Sequence, residues 1–127
     1  MSQPVAKRGD FVVGIDMHFI VPEGGGKPEL LPVPYQGPLE DALSPDVLVE
    51  NRSVARVGTV SVQEGHLIAP KSFAAPPHDH GVVVWGSGSV LVNNKPIARN
   101  ADPVETCNDP VDAPTSKIIA QSTVLSG

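Results

Sequence analysis

The side chains with the most chemistry to offer in this sequence are four histidines and a single cysteine, and two of the histidines stand together in "PPHDHG", residues 76–81. The others are His18, His66 and Cys107. Imidazole nitrogen and thiolate sulfur are donors that zinc accepts, and three His with one Cys form a closed tetrahedral set. A closed set leaves no position for water, so it implies a structural ion, not a catalytic one. His18, His66 and Cys107 supply three donors, and the fourth is His78 or His80. Asp16 and Asp79 are suited to accept from the ring N–H that does not face the metal, which fixes the tautomer.

These donors must be positioned by elements of the chain, and the clearest organising feature is an internal repeat. "SPDVLVENRSVAR", residues 44–56, aligns without a gap on "SGSVLVNNKPIAR", residues 87–99, at an offset of 43 residues. Self-similarity of this kind marks a duplicated supersecondary unit. Each copy runs from an apolar "VLV" through a polar pair, Glu50-Asn51 or Asn93-Asn94, into a short return run. Asparagine tolerates the positive φ of a tight two-residue turn, so each copy reads as a β-hairpin. The hairpins span about residues 44–60 and 87–104. Every histidine and the cysteine lie in the arms outside them. His18 precedes the first hairpin and His66 follows it; His78 and His80 precede the second and Cys107 follows it. Local similarity of "DMHFIVP" and "HDHGVVV" pairs His18 with His80, whereas the strict offset pairs Tyr35 with His78.

Composition fixes the class. The chain has 127 residues, fourteen prolines and twelve glycines, and only five aromatic residues. That favours many short strands joined by turns over helices, in one mostly β domain. Residues 1–8 read as a tail, "DFVVGIDMHFI" as a strand, and residues 21–43 as a loop, because this stretch holds five prolines and four glycines. "SKIIAQSTVLSG" reads as a final strand. A thin core of this kind gains from a metal that ties loops together, on the order of 10 kcal/mol in small zinc domains. The net charge of −5 argues against nucleic acid, whose binding rests on basic side chains. The N-terminus has no signal-peptide pattern, so synthesis in the cytoplasm is expected. A lone cysteine excludes an internal disulfide. "GSGS" lacks the lysine and helix of a phosphate loop, and no HExxH zinc-protease pattern is present.

The hairpin "GSGSVLVNNKPIARNADPV" resembles the repeat of PAAR-domain proteins, a family named after a Pro-Ala-Ala-Arg motif. That motif stands here as Pro96-Ile97-Ala98-Arg99, with a degenerate copy at Ser53-Val54-Ala55-Arg56. "GDFVVGIDMHFIVP", "TCNDP" and the closing "STVLSG" are also similar to larger members, so the resemblance covers residues 9–127. It implies a small conical domain of short β-hairpins pinned by one structural Zn2+ per chain. The ligands carried over by position are His18, His66, His80 and Cys107, with His78 the alternative to His80. The implied function is a spike tip, not an enzyme. Such a tip caps the trimeric, VgrG-like spike of a contractile injection system: a type VI secretion system, a phage tail or an extracellular injection particle. It seats through its base, makes transient contact with a target membrane outside the producing cell, and can carry effector cargo. The competing reading is a zinc-dependent hydrolase or effector enzyme.

Overall fold

The computed structural model describes residues 2–63 and 72–127, and the regular elements among them are all strands. In chain order they are β1 (Gln3–Pro4), β2 (Phe11–Val21), β3 (Glu29–Asp41), β4 (Leu48–Val49), β5 (Arg52–Ser53), β6 (Val60–Val62) and β7 (Ser72–Phe73). There follow β8 (His80–Val83), β9 (Leu91–Val92), β10 (Lys95–Pro96), β11 (Pro103–Thr106), β12 (Ala113–Ile119) and β13 (Leu125–Ser126).

Six of these strands close on themselves. Antiparallel pairing runs β2–β3–β6–β8–β11–β12, and β12 pairs back onto β2 from Gly14↔Ser116 to Phe11↔Ile119. Closure removes the unpaired edges of an open sheet. β2 shows the alternation this requires: Val12, Asp16, His18 and Ile20 are buried, while Phe11, Ile15 and Phe19 face outward. The interior is filled by Val12, Tyr35, Leu39, Val83, Val104 and Ile118.

The stretch expected to be a loop is instead largely β3, the longest strand of the barrel. Its inward residues are Val33, Tyr35 and Leu39, and Pro32, Pro34 and Pro38 all fall on the alternate, outward positions. Leu39 N–H donates to Asp10 O on the β2 side. By alternation, the N–H groups those prolines lack would all have pointed away from β2. Proline is tolerated in a strand where its missing donor does not serve the ladder, and here β2–β3 pairing runs unbroken from Phe11↔Pro38 to Ile20↔Glu29.

Three small two-stranded units sit at one end of the barrel. Two are the repeats read from the sequence: β4–β5, turning on Glu50 and Asn51 (φ 52° and 64°), and β9–β10, turning on Asn93 and Asn94 (φ 53° and 67°). Positive φ at both central residues is the geometry of the tight hairpin turn. The third unit, β1–β13, is made by the two ends of the chain. Residues 1–8 therefore include an integral part of the fold and not only a tail: Val5 is 1% exposed and Ala6 is 0%.

The third unit is a further copy of the repeat, split between the chain ends. Val54, Ile97 and Val5 donate their N–H groups to Val47, Val90 and Val124 at 3.0, 3.0 and 2.9 Å. Lys7, Arg56 and Arg99 each donate a backbone N–H to the side chain three residues on, Asp10, Thr59 and Asp102. The copies then join in a ring. Ala6 N donates to Ala98 O, Ala98 N to Ala55 O, and Ala55 N to Ala6 O, at 2.9, 3.0 and 2.9 Å. The bridges Lys7↔Val54, Arg56↔Ile97 and Val5↔Arg99 follow the same cycle. This end of the molecule is therefore pseudo-three-fold. Val5, Val49, Val54, Val92 and Ile97 pack as a second apolar cluster within it.

The β2–β12 seam that closes the barrel depends on Gly14. A Cβ there would lie 2.6 Å from both Ser116 Cα and Thr115 O, and backbone cannot yield as a flexible side chain can. Gly14→Ala is expected to lower unfolding free energy by roughly 1–3 kcal/mol, read by urea denaturation. Gly88→Ala, with open space around it and no positive φ, serves as the comparison for a glycine with no packing role.

Candidate metal centre

The polar centre of the barrel lies at the end away from the hairpin ring. β2 leaves the ring at Phe11, and Asp16 and His18 stand further along it as i, i+2 neighbours on its inward face. β12 covers this strand only as far as Gly14. Beyond that point the "TCNDP" loop takes over the open edge. Met17 N–H donates to Asn108 Oδ1 at 2.7 Å, Asp109 N–H to Met17 O at 2.7 Å, and Phe19 N–H to Asp109 Oδ2 at 2.8 Å. These contacts fix Cys107, at the end of β11, opposite the two β2 side chains.

The result is a cluster of three ligand types. A carboxylate oxygen of Asp16, a ring nitrogen of His18 and the sulfur of Cys107 lie within 4.8 Å of one another. The residues are 0%, 1% and 2% exposed. Asp16 Oδ1 accepts from the hydroxyls of Thr106 and Thr115 and, at 3.4 Å, from Asn108 Nδ2. Its Oδ2 faces Cys107 Sγ at 3.6 Å. His18 Nδ1 lies 3.3 Å from Asp109 Oδ2. A carboxylate on one imidazole nitrogen fixes the tautomer and the orientation of the ring.

Electrostatics favour a cation at this place. Burial, reinforced by the Asp16 carboxylate, pushes the Cys107 thiol up to about 12, although the Asp79 backbone hydrogen bond works the other way. Without a cation, then, the sulfur keeps its proton and donates it to Asp16. A metal ion held by these residues would replace that proton and let thiolate and carboxylate stand side by side. The oxygen, nitrogen and sulfur donors present fit such an ion. Burial likewise pushes the nearby Tyr35 phenol up to about 12, and its hydroxyl is 3.0 Å from Ser61 Oγ.

Of the four ligands expected from sequence, His18 and Cys107 meet in the cluster. His66 lies outside the described residues. His80 faces outward on β8, whose alternation buries Gly81 and Val83. Its ring stacks on His78 at 5.8 Å between centroids, and its N–H donates to His78 Nδ1 at 3.1 Å. His78 Nε2 is 2.8 Å from Asp112 Oδ1 at the surface. The "HDH" pair thus forms a surface arrangement, and the described cluster takes its third donor from Asp16. Sequence reasoning gave Asp16 a supporting role and missed Asp109. The signal for Asp16 was available, because residues two apart on an alternating strand share a face. Nothing local pointed to Asp109.

A scan against models of known protein families finds no match, and a search of curated proteins finds none.

Protein purified without an affinity tag is expected to carry one transition-metal ion per chain by elemental mass spectrometry. Cys107→Ser and His18→Ala should each abolish that content, and Asp16→Asn should reduce it. Full retention in Cys107→Ser would exclude this cluster as the site.

Proposed function

We propose that this protein is a metal-pinned tip that caps a three-fold-symmetric spike of a contractile injection machine, with no catalysis of its own. The observation that carries the reading is the exposed apolar pattern of the hairpin ring. Leu48, Leu91 and Leu125 occupy equivalent places in the three copies and are 59%, 62% and 60% exposed. Val47, Val90 and Val124, each next to one of them, are exposed as well. Six large apolar side chains held in water in a three-fold pattern call for a partner. A single chain cannot be symmetric, but a pseudo-three-fold face can meet the blunt end of a trimer with each sector engaging one subunit.

The opposite end supports the same reading. Donors buried to 2% exposure or less suit an ion that braces the structure, whereas a hydrolase would have to admit substrate to them. The ion is zinc in this reading, held by His18 and Cys107, with Asp16 and His66 the candidates for its remaining positions. A closed barrel braced by metal at one end and by a hydrogen-bonded ring at the other is suited to bear compression. The resemblance to PAAR-domain proteins leads to the same partner, a trimeric β-helical spike, and leaves effector cargo as a passenger.

The test uses a trimeric β-helical spike protein from the same genome, immobilised, with binding read by interferometry. Leu48→Asp, Leu91→Asp and Leu125→Asp should each weaken binding at least about tenfold, since burying one leucine contributes about 1.5–3 kcal/mol. Thermal stability should hardly change, because these side chains are already in water in the free protein. Unaltered binding in all three variants would sink the docking face.

A further inference from the structure

The ring is three-fold in backbone but not in charge, and the exception is Arg56. The equivalent positions are Lys7 and Arg99. Lys7 Nζ lies 3.2 Å from Asp10 Oδ1 and 3.7 Å from Glu50 Oε1, a residue of the neighbouring hairpin turn. Arg99 makes a two-point contact with Asp102, Nε to Oδ2 at 3.1 Å and Nη2 to Oδ1 at 3.0 Å. At Arg56 both acidic counterparts are replaced. Thr59 stands where Asp10 and Asp102 stand, and Asn93 stands where Glu50 stands. Neither substitute accepts a hydrogen bond from the guanidinium among the described residues. The Thr59 hydroxyl accepts from Arg56 N–H and donates to Ala42 O. Asn93 Nδ2 donates to Asp46 Oδ1 at 2.9 Å. Arg56 Nε is buried with no hydrogen-bond partner among the described residues. A buried donor left unmade costs about 1–3 kcal/mol, more next to a charge.

We propose that Arg56 is a docking point for one external carboxylate, an aspartate or glutamate side chain of the protein that seats on the hairpin ring. The chemistry is defined twice by the molecule itself, since both equivalent cations hold carboxylates. A guanidinium binds a carboxylate through two parallel hydrogen bonds, which gives direction as well as attraction. Only one of the three sectors offers this bond. A symmetric trimer presents three identical acidic groups, so one of them engages Arg56 while the other two meet sectors already neutralised. The three seatings related by the trimer's rotation stay equivalent, since each brings Arg56 to one of the identical carboxylates, and the bond fixes the register of the tip within each of them. This assignment of the partner rests on the docking reading above; the binding of a carboxylate at Arg56 does not.

The test is therefore run on the metal-loaded chain alone, with acetate as the carboxylate probe and the arginine Nε–H groups followed by 15N NMR. Wild type should show a saturable downfield shift at Arg56, several-fold larger than at Arg8, Arg52 or Arg99. Asn93→Glu restores the counterpart that Glu50 provides to Lys7, at an exposed turn where Glu50 already adopts the same φ. In that variant Arg56 should be shifted before acetate is added and should no longer respond. An Arg56 signal in wild type that matches Arg99 and ignores acetate would overturn the proposal. So would a response of equal size at all four arginines, or a response that persists in Asn93→Glu.

Discussion

Three backbone hydrogen bonds between alanines hold this molecule to its plan. Ala6, Ala55 and Ala98 come from segments far apart in sequence, and each gives its N–H to one neighbour and its C=O to the other. All three are fully buried, and the close approach of three segments favours a side chain as small as a methyl group. The ring dictates where the barrel strands start, because Asp10, Thr59 and Asp102 close the turns that lead into β2, β6 and β11. It also dictates that both chain ends lie in one place. β1 and β13 must meet for the third copy to exist. The exposed leucines follow from the same geometry, since each unit buries the residue after its leucine, Val49, Val92 or Ser126, and turns the leucine outward.

The other end of the barrel is organised by charge. Asp16 is fully buried, and such a group is tolerated only when hydrogen-bonded or paired. Thr106, Thr115 and Asn108 satisfy one oxygen, which leaves the other for Cys107 and for whatever cation joins them. The loop that carries Cys107 is in turn held by β2 through Met17 and Phe19. Donor positions and loop conformation are therefore one arrangement.

How much of this could be read from sequence followed from how local each signal was. The two hairpins were legible because residues 44–56 and 87–99 keep the same order of apolar run, turn pair and return. The third copy was not, because its halves lie at opposite ends of the chain and the alignment never brings "PVAKRGD" beside "STVLSG". β3 was misread because proline and glycine content was weighed without asking which face each proline occupied. The metal set was half legible. His18 and Cys107 stood out as residue types, but His80 was judged by its likeness to His18 without the alternation that turns it outward. Asp16 is an ordinary residue type in an unusual place, and its importance comes from burial and from donors contributed by Thr106, Asn108 and Thr115, all from the far end of the chain.

A pseudo-three-fold face on one chain makes a stoichiometric demand that a true trimer or a simple monomeric binder would not. The decisive measurement is native mass spectrometry of this protein, supplied in excess, with a trimeric β-helical spike from the same genome. A single chain per trimer, unchanged as the excess rises, is the expected result. Three chains per trimer, or no complex, would contradict a tip whose three sectors engage the three subunits at once.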